Sequence, residues 1–442
     1  MTVVHAADDL CQDDASPSLE PAALLSSATI RIGLLGLGQV GAAVARRALA
    51  PESPVHAFEI SGALVRNPHR ERGVDGIAMT TDAEAIFDGR PTVIVEALGG
   101  LEPARALVLE AIARGIPVVT ANKSLMARHY DELTTAASHR GVALRFEASV
   151  VAGVPFLGTF AGRPHAAAIS SLVGIVNGTT NYILTSMTDA RRSYADVLAE
   201  AQRLGYAEPN PANDVQGIDA AEKLAILIRQ FAGRRIDVDD IETVGIERVS
   251  ATDLALAREL GGVLKPVVAA LGLERHATRP IRAFVGPAFV PERHLLASTA
   301  NATNALCLCD VNGSRLTFSG PGAGPDVTAV TILDDVLEAA TAPALPVARA
   351  ASVRAHVAAP DTAWFVHLSG SELPSAAEIA DLLASHGVWA QRTTTAAVHE
   401  GQAVQAMLTY PNSRVRIERA FRALRDATAC SVRTFRALEP WS

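Results

Sequence analysis

The chain has 442 residues, 49% of them hydrophobic and 19% charged, enough for two or three domains with large buried cores. Its formal net charge is -8 and it carries no basic stripe, which argues against nucleic acid as a partner. No apolar run reaches the ~18 residues that a membrane span needs.

Residues 1–27 hold Asp8, Asp9, Asp13 and Asp14 without a basic start, and read as a loose tail rather than a signal peptide. The four cysteines (Cys11, Cys307, Cys309, Cys430) show neither disulfide nor metal spacing, so reduced thiols in a cytoplasm are expected. The first ordered feature is an apolar strand, residues 28–35, running into Gly36-Leu37-Gly38-Gln39-Val40-Gly41 and then a helix, 42–49. Strand, G-x-G-x-x-G turn and helix in that order form a dinucleotide site. Gly36 permits the tight turn, Gly38 lets backbone approach a pyrophosphate, and Gly41 lets helix pack on strand. The diphosphate would sit on free N–H groups at the positive helix end.

Further strands are predicted at 61–65, 92–97 (ending in Gly99-Gly100), 117–120 and 143–147, with helices at 104–113 and 133–139. Strands alternating with helices give a doubly wound, Rossmann-type parallel sheet over residues 28–160. After it comes a segment at 169–176, a polar loop Asn177-Gly178-Thr179-Thr180-Asn181, and helices at 194–204 and 220–231. Residues 281–318 are strand-rich, with turns at Gly286-Pro287 and Asn312-Gly313, and Gly320 to Pro325 is a tight loop. A helix at 326–340 is placed to return to the first sheet, and the Ala- and Pro-rich 341–360 reads as a linker. Residues 361–442 read β-α-β-β-α-β, the ferredoxin-like order, as a separate unit.

Chemistry is best signalled by Asp219 and Lys223, which share a helix face at i,i+4. An exposed ion pair is the bland reading, but the continuation Leu224 to Ile228 is apolar all round and predicts a buried helix. A buried lysine is expensive unless paired or functional. Lys123 sits at the carboxyl end of the 117–120 strand, where open α/β sheets place ligands, or is a solvated loop lysine. Glu147, followed by the irregular Val150-Val151-Ala152-Gly153-Val154-Pro155, offers a carboxylate and carbonyls to a hard cation, or is a plain strand exit.

Together these segments resemble homoserine dehydrogenase over residues 29–340. The match runs through the Gly36 turn, Glu96 to Gly100, Thr120 to Lys123, Glu147 to Pro155, Asn177 to Leu184, Gly205 to Leu227 and Gly320 to Pro325. The C-terminal unit is similar to an ACT domain. The resemblance implies a catalytic and dimerisation domain at 161–325, and a reversible oxidoreductase that interconverts L-homoserine and L-aspartate 4-semialdehyde with a nicotinamide cofactor. That reaction serves threonine, methionine and isoleucine biosynthesis, and the enzyme is expected to be a homodimer or higher homo-oligomer.

It further implies Lys223 as proton donor, Asp219 as the group polarising the substrate hydroxyl region, and Lys123 as a second active-site lysine. Glu208 would hold the substrate ammonium, with Asp214, Thr179 and Tyr206 also lining the substrate. Leu37, Gln39, Val40, Gly99, Lys123 and Gly324 would join the three glycines at the cofactor. Glu147 and the carbonyls of Val150, Ala152 and Val154 would hold a monovalent cation, sodium or potassium. Arg66, just past the second strand, favours NADP over NAD, because Glu59 falls at the wrong end of that strand to meet a ribose. Asn210 stands where the family has Asp, and Ser369 to Ser375 lacks the family's Pro-Gly. These departures keep open a sensing protein on a dehydrogenase scaffold, or a dehydrogenase for a related aldehyde.

Overall fold

The computed structural model describes residues 29–51, 58–160, 168–190, 192–275, 279–322, 324–341, 351–354, 357–358, 361–399, 401–428 and 430–438. The segment expected as a tail, with Cys11, lies outside the described residues.

Six strands form the first sheet: β1 (Ile30–Leu35), β2 (Phe58–Leu64), β3 (Met79–Thr80), β4 (Val93–Glu96), β5 (Val118–Thr120) and β6 (Leu144–Arg145). All are parallel, in the order β3-β2-β1-β4-β5-β6. Both faces are covered, which is why the strands read as near-continuous apolar runs. On one face Ile32, Leu34, Val93 and Val95 meet Val44 of the helix Gln39–Ala48 and Ile332 and Val336 of the helix Pro325–Thr341. On the other, Ile94 and Val118 meet Val108, Leu125 and Leu133. Strand order reverses between β1 and β4, so a crevice opens at their carboxyl ends.

The second sheet is mixed and long. Its order is Arg315–Pro321, Thr303–Asp310, Ile169–Ile175, Gly262–Leu271, Ile281–Pro291, Ser431–Ala437, Ala363–Gly370, Gln402–Thr409, Ala390–Thr393. The helix Ala251–Glu259 and the strand Gly262–Leu271 carry no alternation that the sequence reading caught. The predicted turn at Gly286-Pro287 is instead the middle of an eleven-residue strand. Its neighbour changes there: Phe284 and Val285 pair with Glu242 and Thr243, and Ala288 and Phe289 with Arg436 and Ala437. A Cβ on Gly286 would sit 2.9 Å from the Val244 carbonyl, so glycine makes room for the crossing chain. Pro287, which has no N–H to give, lies between the two partners. The hairpin at Asn312-Gly313 does form, with Gly313 at φ +86°.

The polar segment at Asn177 is also corrected: it opens the helix Gly178–Ala190. Asn177 Oδ1 accepts from the Thr180 N–H at 2.9 Å, so a strong turn dipeptide here acts as a helix cap. The 341–360 stretch is not a simple tether. Within it Ala351–Arg354 pairs with Arg234–Arg235, and Val357–Ala358 with Ile281 and Arg282. Nor does the C-terminal unit stand apart, because Ser431–Ala437 adds directly to the catalytic sheet. Asp253 and His367 are fully buried at this junction, with His367 Nδ1 2.5 Å from the carboxylate and Arg433 Nη1 3.2 Å from it. Among the described residues no helix is long and apolar enough to cross a membrane.

Candidate active site

The dinucleotide turn is built by clashes that only glycine avoids. Gly36 has φ +103°, and a Cβ there would lie 2.7 Å from the Ala97 carbonyl. A Cβ on Gly41 would lie 2.2 Å from the Gly36 carbonyl, whereas one on Gly38 would meet nothing within 4 Å. Gly38 precedes the helix without giving it any side-chain cap, so the first N–H groups of that helix, from Gln39 on, await an acceptor. Leu37 is buried and Val40 packs on the core. Gly99, at φ +74°, also faces open space, and Gly324, at φ +134°, leads into the helix Pro325–Thr341. Arg66 is exposed past the end of β2 and has no side-chain partner among the described residues. Arg72 instead closes the loop, donating to the Asn67 carbonyl at 2.8 Å and to that of Arg70. Glu59 pairs with Arg31 at the far end of β2.

Beside the turn, a buried carboxylate that the sequence reading did not single out ties two strand ends together. Glu96, at the end of β4, accepts from the Leu98 N–H (2.9 Å), Thr120 Oγ1 (2.5 Å) and Asn122 Nδ2 (3.3 Å). Burial pushes its carboxyl up, and these donors pull it back only in part. Asn122 in turn caps the helix Lys123–Arg140, so Lys123 is a first-turn helical residue at the strand end, not a loose loop lysine.

Lys123 meets a second helix. Gly217, at φ +82°, starts Ile218–Ala232, whose continuation Leu224 to Ile228 is wholly buried. Asp219 lies in its first turn, where the helix dipole favours a negative charge, and is 4% exposed. Lys223 Nζ is 2.8 Å from Asp219 Oδ2 and Lys123 Nζ is 3.1 Å from Oδ1. Asn177 Nδ2 donates to both Asp219 (2.8 Å) and Asp214 (2.7 Å). Lys223 also donates to the Val176 carbonyl at 2.8 Å. Burial alone would raise the Asp219 carboxyl; the two ammonium groups and the hydrogen bonds outweigh it and hold it at about 2. Asp219 raises Lys123 in return, against the cost of burial. Asp214 is pushed up by burial and by the Asp219 charge.

The remaining substrate candidates lie around this cluster. Thr179 Oγ1 donates to the Tyr206 carbonyl at 2.7 Å, and the Tyr206 ring packs on Tyr182 with centroids 4.6 Å apart. Glu208 follows on the same exposed segment, its carboxylate without a protein partner among the described residues. Asn210 Oδ1 accepts from the Ala212 N–H at 3.3 Å, a contact an aspartate would make equally well. Only the charge differs.

The cation candidates, Glu147, Val150, Ala152 and Val154, follow one another closely in the chain. The Glu147 carboxylate accepts from the N–H groups of Phe156 (3.0 Å), Leu157 (2.9 Å) and Gly158 (2.7 Å). It caps the short helix Leu157–Phe160. The carbonyls of Val150, Ala152 and Val154 belong to buried residues and accept no hydrogen bond among the described residues. Those main-chain oxygens are of the kind a hard cation takes, and the carboxylate keeps one acceptor site of about four.

A parallel sheet of this order, an uncapped glycine turn at its crevice and two lysines on one buried carboxylate define a dinucleotide-dependent oxidoreductase. Residues 36–147 match the family described as homoserine dehydrogenase, NAD binding domain, and residues 155–337 that described as homoserine dehydrogenase. The chain is 40% identical over 315 residues to a homoserine dehydrogenase of Synechocystis, covering 70% of this chain and 73% of that one. One of Corynebacterium glutamicum is 39% identical over 333 residues, covering 74% and 75%. The crystal structure of a homoserine dehydrogenase from Thiobacillus denitrificans covers 93% of this chain and 98% of its own, at 32% identity and a TM-score of 0.82. The chain belongs to the homoserine dehydrogenase family. It is an NAD(P)-dependent oxidoreductase acting on a CH–OH group, and interconverts L-homoserine and L-aspartate 4-semialdehyde.

Proposed function

We propose that Lys223 is the proton donor of semialdehyde reduction, and that Asp219 and Val176 aim it. The observation that carries this is the count of its N–H groups. An ammonium has three; one goes to Asp219 and one to the Val176 carbonyl, which leaves one for the substrate oxygen. The bound nicotinamide supplies the hydride to the aldehyde carbon. Lys223 gives its proton to the oxygen that becomes the hydroxyl, and takes one back in the oxidising direction. Lys123 shares Asp219 from the nucleotide-domain side, so one carboxylate orients a group on each wall of the cleft. Glu208, whose carboxylate has no protein partner among the described residues, takes the substrate ammonium, and Asp214, Thr179 and Tyr206 also line the substrate.

NADP is the preferred cofactor in this reading: the diphosphate lies on Gly36 to Gly41, near Gly99 and Gly324, and Arg66, without a side-chain partner among the described residues, meets the 2′-phosphate. A sodium or potassium ion would be held by Glu147 and the carbonyls of Val150, Ala152 and Val154, main-chain and carboxylate oxygens of the kind a hard cation takes. The protein works as a homodimer or higher homo-oligomer in the cytoplasm, and the C-terminal unit is ACT-like.

Lys223→Ala should lose about 10²- to 10⁴-fold in kcat, the usual share of a positioned acid, while binding NADPH as the wild type does. Initial rates with aspartate semialdehyde and fluorescence titration of NADPH check both halves. Unchanged kcat would remove Lys223 from the role. Arg66→Ala should raise KM for NADPH and leave that for NADH; equal effects on the two would refute the phosphate contact.

A further inference from the structure

Asn304 has no part in any of the motifs above, yet it is the most buried polar side chain next to the proton donor. It stands second in the strand Thr303–Asp310 and is 0% exposed. Its amide donates to two carbonyls, Val176 at 3.4 Å and Gly322 at 3.1 Å. The Val176 carbonyl is the one to which Lys223 donates. The next residue, Asn177, holds Asp219 and Asp214. One peptide therefore carries a carbonyl for the lysine and a side chain for its carboxylate.

The other carbonyl belongs to the loop that returns the chain to the nucleotide domain. Gly322 also donates its N–H to the Ala302 carbonyl at 2.8 Å. A Cβ on Gly322 would lie 2.4 Å from that carbonyl and 2.7 Å from Asn304 Oδ1, so the loop is pressed against residues 302–304. On the opposite side, a Cβ on Gly178 would lie 3.0 Å from the same Ala302 carbonyl. Residues 302–304 are thus wedged between the start of the Gly178–Ala190 helix and the Gly322 loop.

This placement is costly. Asn304 Oδ1 is buried with no hydrogen-bond partner among the described residues, a penalty of the kind an apolar residue of similar size would not incur. We infer that Asn304 is a positioning residue for proton transfer: it fixes the Val176–Asn177 peptide, and through it Lys223, relative to the Gly320–Gly322 loop. The inference rests on Lys223 being the donor.

Two variants test it beside Lys223→Met, each assayed in both directions with melting temperature measured. Asn304→Ala should lower kcat by about 10- to 100-fold, the cost of a small misplacement. KM for the semialdehyde should hold, and the solvent deuterium isotope effect on kcat should rise as proton transfer becomes limiting. Asn304→Asp keeps the volume, but a buried carboxyl facing two carbonyls holds its proton and supplies one donor in place of two. It should recover part of the kcat that Asn304→Ala loses, and give up that recovery as pH rises and the carboxyl ionises against the two carbonyls, a change in the kcat–pH profile that altered packing alone does not produce. If Asn304→Ala fails to fold, the Asn304→Asp profile decides. Unmoved profile and isotope effect in the folded variants, with Lys223→Met inactive, would overturn the role of Asn304 alone. A fully active Lys223→Met would overturn the donor and this inference together.

Discussion

Asp219 joins two lysines from two helices, and that sharing explains how a buried site tolerates so many charges. Each ammonium finds the same carboxylate, and Asn177 takes up the carboxylate's remaining acceptor capacity. Lys265 is a different case. It is 6% exposed, lies away from the cluster, and its ammonium has the Thr299 carbonyl as partner at 2.7 Å. Burial lowers it to about 8. An unfolded lysine titrates near 10.4, so between those two pH values the unfolded chain holds a proton that the folded one has lost. Stability must then rise with pH across that window. Below pH 8 both states are charged and the full cost of burial, about 3 kcal/mol, is present. Urea unfolding of wild type and Lys265→Met should show the wild type gaining on the variant from pH 8 to 10.5, and parallel curves would refute this. At this scale the sequence was legible where spacing and burial coincide. Asp219 and Lys223 stand out because a charged i,i+4 pair interrupts an apolar helix. Glu96 and Asn304 do not, since a single polar residue in a strand has no spacing to betray it, and its partners are distant in sequence. Glu147 is a mixed case: an acid before an irregular backbone reads as a ligand, and its carboxylate also serves three N–H groups of the following turn.

Among elements, the glycine turn separates architecture from binding. Gly41 is required by a contact inside the protein and Gly38 by nothing within it. Gly41→Ala should therefore lower the melting temperature of the free protein. Gly38→Ala should leave it within a degree or two, but weaken NADPH binding, since the new methyl occupies space the pyrophosphate needs. Thermal melts with and without NADPH distinguish them; equal losses of apo stability would show that the two glycines are not so divided. The same contrast explains which elements could be read in advance. The parallel sheet was legible because strands buried on both faces make apolar runs. The polar pairs Asn177-Gly178 and Gly286-Pro287 read as turns from composition, but one caps a helix and the other sits inside a strand. In both, a chain distant in sequence (Ala302 against Gly178, Val244 against Gly286) sets the need for glycine.

At the scale of the molecule, the catalytic sheet and the C-terminal unit are one continuous layer. Phe289 of the former stacks on Phe365 of the latter at 6.0 Å, and both belong to one buried cluster with Leu264, Ala406, Leu408 and Phe435. A chain ending at Thr341 would leave Ala288 and Phe289 on the edge of Ile281–Pro291 unpaired and Phe289 uncovered, and open apolar edges aggregate. We expect such a truncation to lose solubility or melt at lower temperature. A monodisperse protein with the wild-type melting point would contradict that. No local pattern announces this layer, because the strands that meet in it, Ile281–Pro291 and Ser431–Ala437, lie far apart in sequence. The helix Pro325–Thr341 has a consequence of another kind. Ile332 and Val336 complete a core begun by Ile32 and Val44. During synthesis, at about 5–20 residues per second, the first sheet emerges many seconds before that helix. Until then only the helix Gln39–Ala48 covers that face, and the rest of its apolar surface stays open to water.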